Sequence, residues 1–113
     1  MLPEKDLVRF RHMLDSAREI VEISKEKTRE DLEKERLLNL ALVRLLEIIG
    51  EAAVKVSSET KVNHPEIEWQ QIIGLRNRLI HGYDSIDFDI MWTIVCQDIP
   101  FLVSMMEKIS KDS

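Results

Sequence analysis

A single cysteine, Cys96, leaves no partner for a disulfide within the chain and no thiolate cluster for zinc. It lies in an apolar stretch, where a lone cysteine is expected as a small buried hydrophobe. Glycine and proline number three each, which gives strands and tight turns little material. No run approaches the roughly 18 consecutive apolar residues of a membrane span. The N-terminus turns charged at once (Met1-Leu2-Pro3-Glu4-Lys5-Asp6) and has no apolar signal core. Repeats and low-complexity segments are absent as well. These absences predict a cytoplasmic protein with no membrane segment.

What is present is charge and aliphatic bulk. Of 113 residues, 33% are charged and 44% apolar, enough for one core and one domain over residues 1–113. The balance is that of helical proteins, so an all-α fold is expected. The formal net charge is −5, which excludes a general electrostatic coat for nucleic acid and leaves only a local basic patch for such binding.

Periodicity places the helices. From Pro3 onward Leu7, Phe10, Leu14, Ala17 and Val21 form one stripe, widened by Ile20 and Ile23. Thr28 or Asp31 suits the cap of the next helix, which should run from about residue 31 to about 57. Its main apolar face would be Leu37, Leu40, Ala41, Leu45, Ile48, Ile49 and Ala52. Leu38, Leu42, Val43, Leu46 and Ala53 leave few polar positions elsewhere on it. In a short chain, an apolar second face is most economically covered by another subunit, which predicts a homodimer. Ser58 to Pro65 reads as a loop, and Glu66 to Ile73 as a short helical turn leading into a third main helix that ends near His81. Gly74 marks a bend or close packing in it, and Gly82 a stop. After an Asp84-Ser85-Ile86 connector, Asp87 caps a fourth helix that Pro100 should kink. The tail from Ser110 is expected to fray. The sum is an up-down bundle of four main helices plus a short one.

The chemistry concentrates in Arg76-Asn77-Arg78-Leu79-Ile80-His81-Gly82-Tyr83. Two guanidinium forks suited to phosphate, an amide, an imidazole and a phenol crowd into eight residues. On an ideal helix Arg76 and His81 would stand roughly 140° apart, so they can cooperate only if the last turn loosens. His81 and Arg78, by contrast, are helical neighbours. The set suffices to cleave RNA by attack of a 2′-hydroxyl on the adjacent phosphate. The imidazole moves protons, an arginine stabilises phosphoryl charge, and no cofactor is needed. The same residue types also suit a purely structural helix end, where cations favour the dipole and glycine stops the helix.

Arg76 to Tyr83 resembles the R-x4-H-x-Y signature of the HepT-like branch of HEPN-domain proteins. The flanks resemble it too, in Ile72-Ile73-Gly74-Leu75, Ile86-Asp87 and Trp92. Arg44-Leu45-Leu46-Glu47-Ile48-Ile49-Gly50-Glu51-Ala52 is similar to the family's second helix. The resemblance implies a dimeric helical bundle acting as a metal-independent ribonuclease toxin of a type VII toxin–antitoxin pair. It would have Arg76 stabilise the scissile phosphate and His81 act as general acid or base, with Asn77 orienting either. Tyr83 matches the tyrosine that an MNT-type nucleotidyltransferase antitoxin modifies with AMP. Arg78 either contacts RNA or pairs with an acidic residue such as Glu51. The competing reading is a non-catalytic dimeric module that binds a nucleotidyltransferase or nucleotide through Arg76 and His81.

The remaining polar residues call for simpler roles. Glu47 and Glu51 share a helix face and should pair with Arg44 or with the arginines of the third helix. His12 belongs at the surface, and His64 in a solvated loop. Trp69, Trp92 and Phe88 should anchor the core or an interface.

Overall fold

The computed structural model describes residues 2–81 and 85–112, without the side chains of His81 and Asp112. Eight α-helical segments carry almost all of it: α1 (Glu4–Ser24), α2 (Arg29–Lys34), α3 (Arg36–Lys55), α4 (Ser58–Asn63), α5 (Trp69–Ile73), α6 (Leu75–Leu79), α7 (Phe88–Thr93) and α8 (Ile99–Asp112). A π-turn, Ile94–Asp98, joins α7 to α8 into one rod. The exception is a two-residue antiparallel ladder of β1 (Ile80–His81) and β2 (Ser85–Ile86). The all-α bundle expected from composition is therefore what forms.

The core lies where α1, α3 and the α7–α8 rod meet. From α1 it takes Phe10, Met13, Leu14, Ala17 and Ile20. Val21, assigned to the stripe, is exposed, whereas Met13 is fully buried. The larger correction concerns α3. Leu38, Leu42, Leu46, Ile49, Ala52 and Ala53 face the core, whereas Leu37 is 84% and Leu40 44% exposed. The periodic pattern carried two candidate stripes about a third of a turn apart, and only packing chose between them.

Local chemistry sets the breaks. Thr28 and Asp31 form a capping box at the start of α2. Between α1 and α2, Glu26 adopts φ 66°, a left-handed conformation without glycine, which costs about 1 kcal/mol. The expected long second helix is split at Glu35 (φ −92°, ψ 95°). Buried Asn39 ties the halves together by donating Nδ2–H to the Leu32 carbonyl at 2.9 Å.

The Ser58 to Pro65 segment is not simply a loop, because its first six residues form α4. The signal lies outside the segment: Asp6, 1% exposed, reaches across from α1. Its carboxylate accepts from Ser57 N–H at 2.9 Å, Ser57 Oγ at 2.6 Å and Thr60 Oγ1 at 2.6 Å. Burial pushes the Asp6 pKa up, but these hydrogen bonds outweigh it and hold the carboxyl below its ordinary value.

The third main helix is instead two pieces hinged at Gly74, which ends α5 and starts α6. The bend expected at Gly74 is thus present. Asp87 caps α7 as expected, its Oδ1 accepting from Ile90 N–H at 3.0 Å. Ahead of Pro100 the rod widens into its π-turn, which makes room for a ring that cannot donate and would crowd the preceding turn. That widening keeps Ile94, Val95 and Ile99 inward and turns Cys96 outward, so the cysteine is exposed rather than buried. The rod continues helically to Asp112, past Ser110 where the tail was expected to fray. By length and composition the stretch Phe88–Lys111, mean hydropathy 1.3 over 18 residues, would pass for a membrane span. Here it is a core element, with Ile94, Val95, Ile99, Leu102 and Met106 packed inward.

Candidate functional site

Residues 75–81 leave the helix earlier than their sequence suggests. α6 ends at Leu79, and Ile80 is extended (φ −109°, ψ 121°). Ile80 pairs with Ile86 and His81 with Ser85, and Asp87 N–H donates to the Leu79 carbonyl at 2.9 Å. The helical angle of roughly 140° between Arg76 and His81 therefore does not apply, because the last two steps are strand. β-branched residues on either side of a glycine-containing segment were the available hairpin signal. The imidazole of His81, together with Gly82, Tyr83 and Asp84, lies outside the described residues, and with it the expected stop at Gly82.

Arg76 projects from α6 toward α3. Its Nε–H donates to Glu47 Oε2 at 2.9 Å. Glu47 Oε1 stands 3.9 Å from Arg44 Nη1, which also reaches Glu51 Oε1 at 3.4 Å. The two glutamates thus pair with arginines, as their spacing on one face of α3 implied. Among the described residues no group of three His, Cys, Asp or Glu gathers as a metal site. Arg76 and Asn77 line one cleft of about 210 Å³ with Glu47, Gly50, Glu51 and Val54.

The close approach of the two elements depends on Gly50. A Cβ there would lie 3.2 Å from the Ile72 carbonyl oxygen and 3.5 Å from that of Ile73. The end of α5 rests on bare α3 backbone, which brings α6, and so Arg76, down beside Glu47.

Arg78 points elsewhere. Its Nη1–H donates to Asp98 Oδ2 at 3.1 Å, on the rim of a second groove of about 380 Å³ walled by Ile72, Leu75, Leu102 and Met105. Its acidic partner is therefore Asp98 of the π-turn and not Glu51. The structure brings Arg76 and Asn77 together and turns Arg78 to the other side of α6.

The other candidates take structural places. Trp69 is buried, and its indole N–H donates to the His64 carbonyl at 3.0 Å. Trp92 and Phe88 are half-buried against the core. His12 is exposed, as expected. His64 is half-buried rather than solvated, with Nδ1 3.3 Å from Glu66 Oε1. Asp98 was not singled out in the sequence, and it gave no local signal, since it pairs with Arg78 across 20 positions of sequence.

Comparison with known proteins gives a consistent result. The family model described as "Ribonuclease HepT-like" matches residues 13–109. A protein of Thermococcus cleftensis carrying the name "Probable ribonuclease HepT" is 37% identical over 102 residues, 87% of this chain and 93% of its own. A provisionally named RNase of Methanocaldococcus jannaschii is 32% identical over 107 residues, 94% of this chain and 98% of its own. Another from Caldanaerobacter subterraneus is 35% identical over 98 residues, covering 87% and 88%. No solved structure matches.

Proposed function

The chain belongs to the HepT-like ribonuclease family, and from that premise we propose that it is an endoribonuclease whose site is built on Arg76 and His81. The observation that carries the reading is Arg76, held in a cleft with Asn77 at the foot of the hairpin whose β1 contains His81. In the proposed reaction a 2′-hydroxyl attacks the adjacent phosphorus and the 5′-oxygen leaves, giving a 2′,3′-cyclic phosphate. The His81 imidazole moves the protons, for typically 10²- to 10⁴-fold of the rate. Arg76 offsets charge on the phosphoryl oxygens, and Asn77 orients the phosphate or the imidazole. No metal takes part in these steps. Arg78, ion-paired at the neighbouring groove, serves as an outlying contact for the RNA backbone.

The working unit is a homodimer. Leu37, Leu40, Arg44, Glu51 and Val54 recur along the outer face of α3, and the three apolar members are exposed. A two-fold axis between Arg44 and Glu51 would set each against the other's counterpart, as an isologous interface requires. Such pairing would put two Arg76 clefts at one seam.

Control lies in Tyr83. An MNT-type nucleotidyltransferase antitoxin transfers AMP from ATP to the phenol oxygen and releases pyrophosphate. The added bulk and negative charge on the motif then repel the RNA backbone. This is the arrangement of a toxin–antitoxin pair acting in the cytoplasm.

The test uses purified, unmodified protein with its intact mass and native mass recorded. Dimeric protein should cleave RNA in EDTA, and His81→Ala should lose most of that activity. Intact RNA with a folded dimer, or full activity in His81→Ala, refutes the reading. Incubation with the partner enzyme and ATP should add AMP to Tyr83 and stop cleavage, and Tyr83→Phe should prevent both.

A second reading draws on the ion pairs that already engage Arg76 and Arg78. In it the dimer is a non-catalytic module that docks a nucleotidyltransferase or nucleotide. Tight partner binding without RNA cleavage in any modification state would favour it.

A further inference from the structure

We propose that Glu47 is a positioning residue for this site, aiming the Arg76 guanidinium at phosphate; the proposal rests on the ribonuclease reading above. Arginine has a long side chain with much rotamer freedom to lose, and Arg76 stands on a helix of five residues with its side chain 58% exposed. Left alone, it would sample many directions.

Glu47 removes that freedom at one nitrogen. It accepts from Nε at 2.9 Å, and among the described residues no other group bonds the guanidinium. The two terminal nitrogens therefore keep their donors for a ligand, and that end of the fork matches two phosphoryl oxygens. A carboxylate that masked the site would hold the terminal pair instead.

Glu47 is itself the most sheltered of the four charged side chains here. Its side chain is 24% exposed, against 61% for Arg44 and 63% for Glu51. Its second oxygen faces Arg44, and it lies one helical turn from Gly50, where α5 rests on α3. Arg44, 3.9 Å from Glu47 and 3.4 Å from Glu51, sets a second positive charge against the two glutamates that line the cleft with Arg76.

The roles separate in kinetics. Glu47→Ala should lower kcat roughly 10- to 100-fold through lost alignment. KM should stay the same or fall, because removing a negative charge strengthens ground-state binding of RNA. Glu47→Gln keeps an oxygen acceptor for Nε and should recover most of kcat.

A second readout does not depend on turnover. In ¹⁵N-labelled protein the Arg76 Nε–H signal, assigned by its loss in Arg76→Lys, should be protected from solvent exchange. The protection should vanish in Glu47→Ala and persist in Glu47→Gln. Adding a 2′-O-methyl RNA oligonucleotide should shift the Nη signals of Arg76 while Nε stays protected. An unprotected Nε–H, displacement of Nε from Glu47 by the oligonucleotide, or unchanged or raised kcat in Glu47→Ala overturns the proposal. If wild-type protein cuts no RNA, the ribonuclease reading falls, and the oligonucleotide arm alone decides whether Glu47 positions Arg76.

Discussion

Replacing Asp6 with alanine should cost the fold about 3–4 kcal/mol at neutral pH. The side chain is buried and accepts three hydrogen bonds, two from hydroxyls at 2.6 Å and one from the Ser57 amide at 2.9 Å. Hydrogen bonds to a charged group contribute about 1.5–3 kcal/mol each. The three are not independent, because Ser57 supplies two of the donors and also caps α4 through Thr60 N–H at 3.3 Å. Burial of the carboxylate subtracts from the sum. The remaining figure, about 3–4 kcal/mol, should lower the melting temperature by roughly 10–20 °C in a domain of this size. Thermal and urea unfolding followed by circular dichroism at 222 nm would measure it. The pH dependence supplies a second check. The folded-state pKa of Asp6 is lowered from 3.8, so its stabilisation is present above 3.8 and is lost as pH falls through the lower folded value. The gap between wild type and Asp6→Asn should therefore narrow only below about pH 3.8. A variant as stable as wild type at pH 7, or a gap that stays constant down to pH 2, would refute this account of the α1–α4 tie.

Gly50→Ala tests the contact that seats α5 on α3. Alanine favours a helix by about 1 kcal/mol, but its Cβ would meet the Ile72 carbonyl oxygen at 3.2 Å. We expect no net gain in stability and a loss of RNA cleavage as Arg76 moves off Glu47; a more stable, fully active variant would show that the approach is not needed. Asn39→Ala should destabilise by about 1–2 kcal/mol by leaving the Leu32 carbonyl without its donor. The Asn39 Oδ1 has no protein partner among the described residues, which keeps the loss modest, and a chemical-denaturation midpoint equal to wild type would refute it.

Much of this protein was legible in its sequence. Composition dictated an all-α fold, because few glycines and prolines and many straight-chain residues favour helices over turns. Local chemistry marked Thr28–Asp31 and Asp87 as caps and Gly74 as a bend, since each acts within a few residues of itself; the kink expected at Pro100 is instead a π-turn just upstream of it. The segment from Arg76 to Tyr83 carried the family resemblance, which the comparisons bear out at the level of the family.

Other features required the tertiary structure. α3 offered two apolar faces, and the one that packs on α1 was fixed by the shape of its neighbours. α4 forms where a loop was expected because a carboxylate 51 positions earlier satisfies its cap. Helix three breaks early because Ile80 and His81 find strand partners across the segment. Arg78 and Asp98 meet only when the π-turn comes alongside α6. The bond between Arg76 and Glu47 spans 29 positions and depends on a glycine that lets two backbones touch. Short-range capping and bending follow from adjacent residues, whereas the bond that holds Arg76 against α3 is a long-range contact that no local pattern encodes.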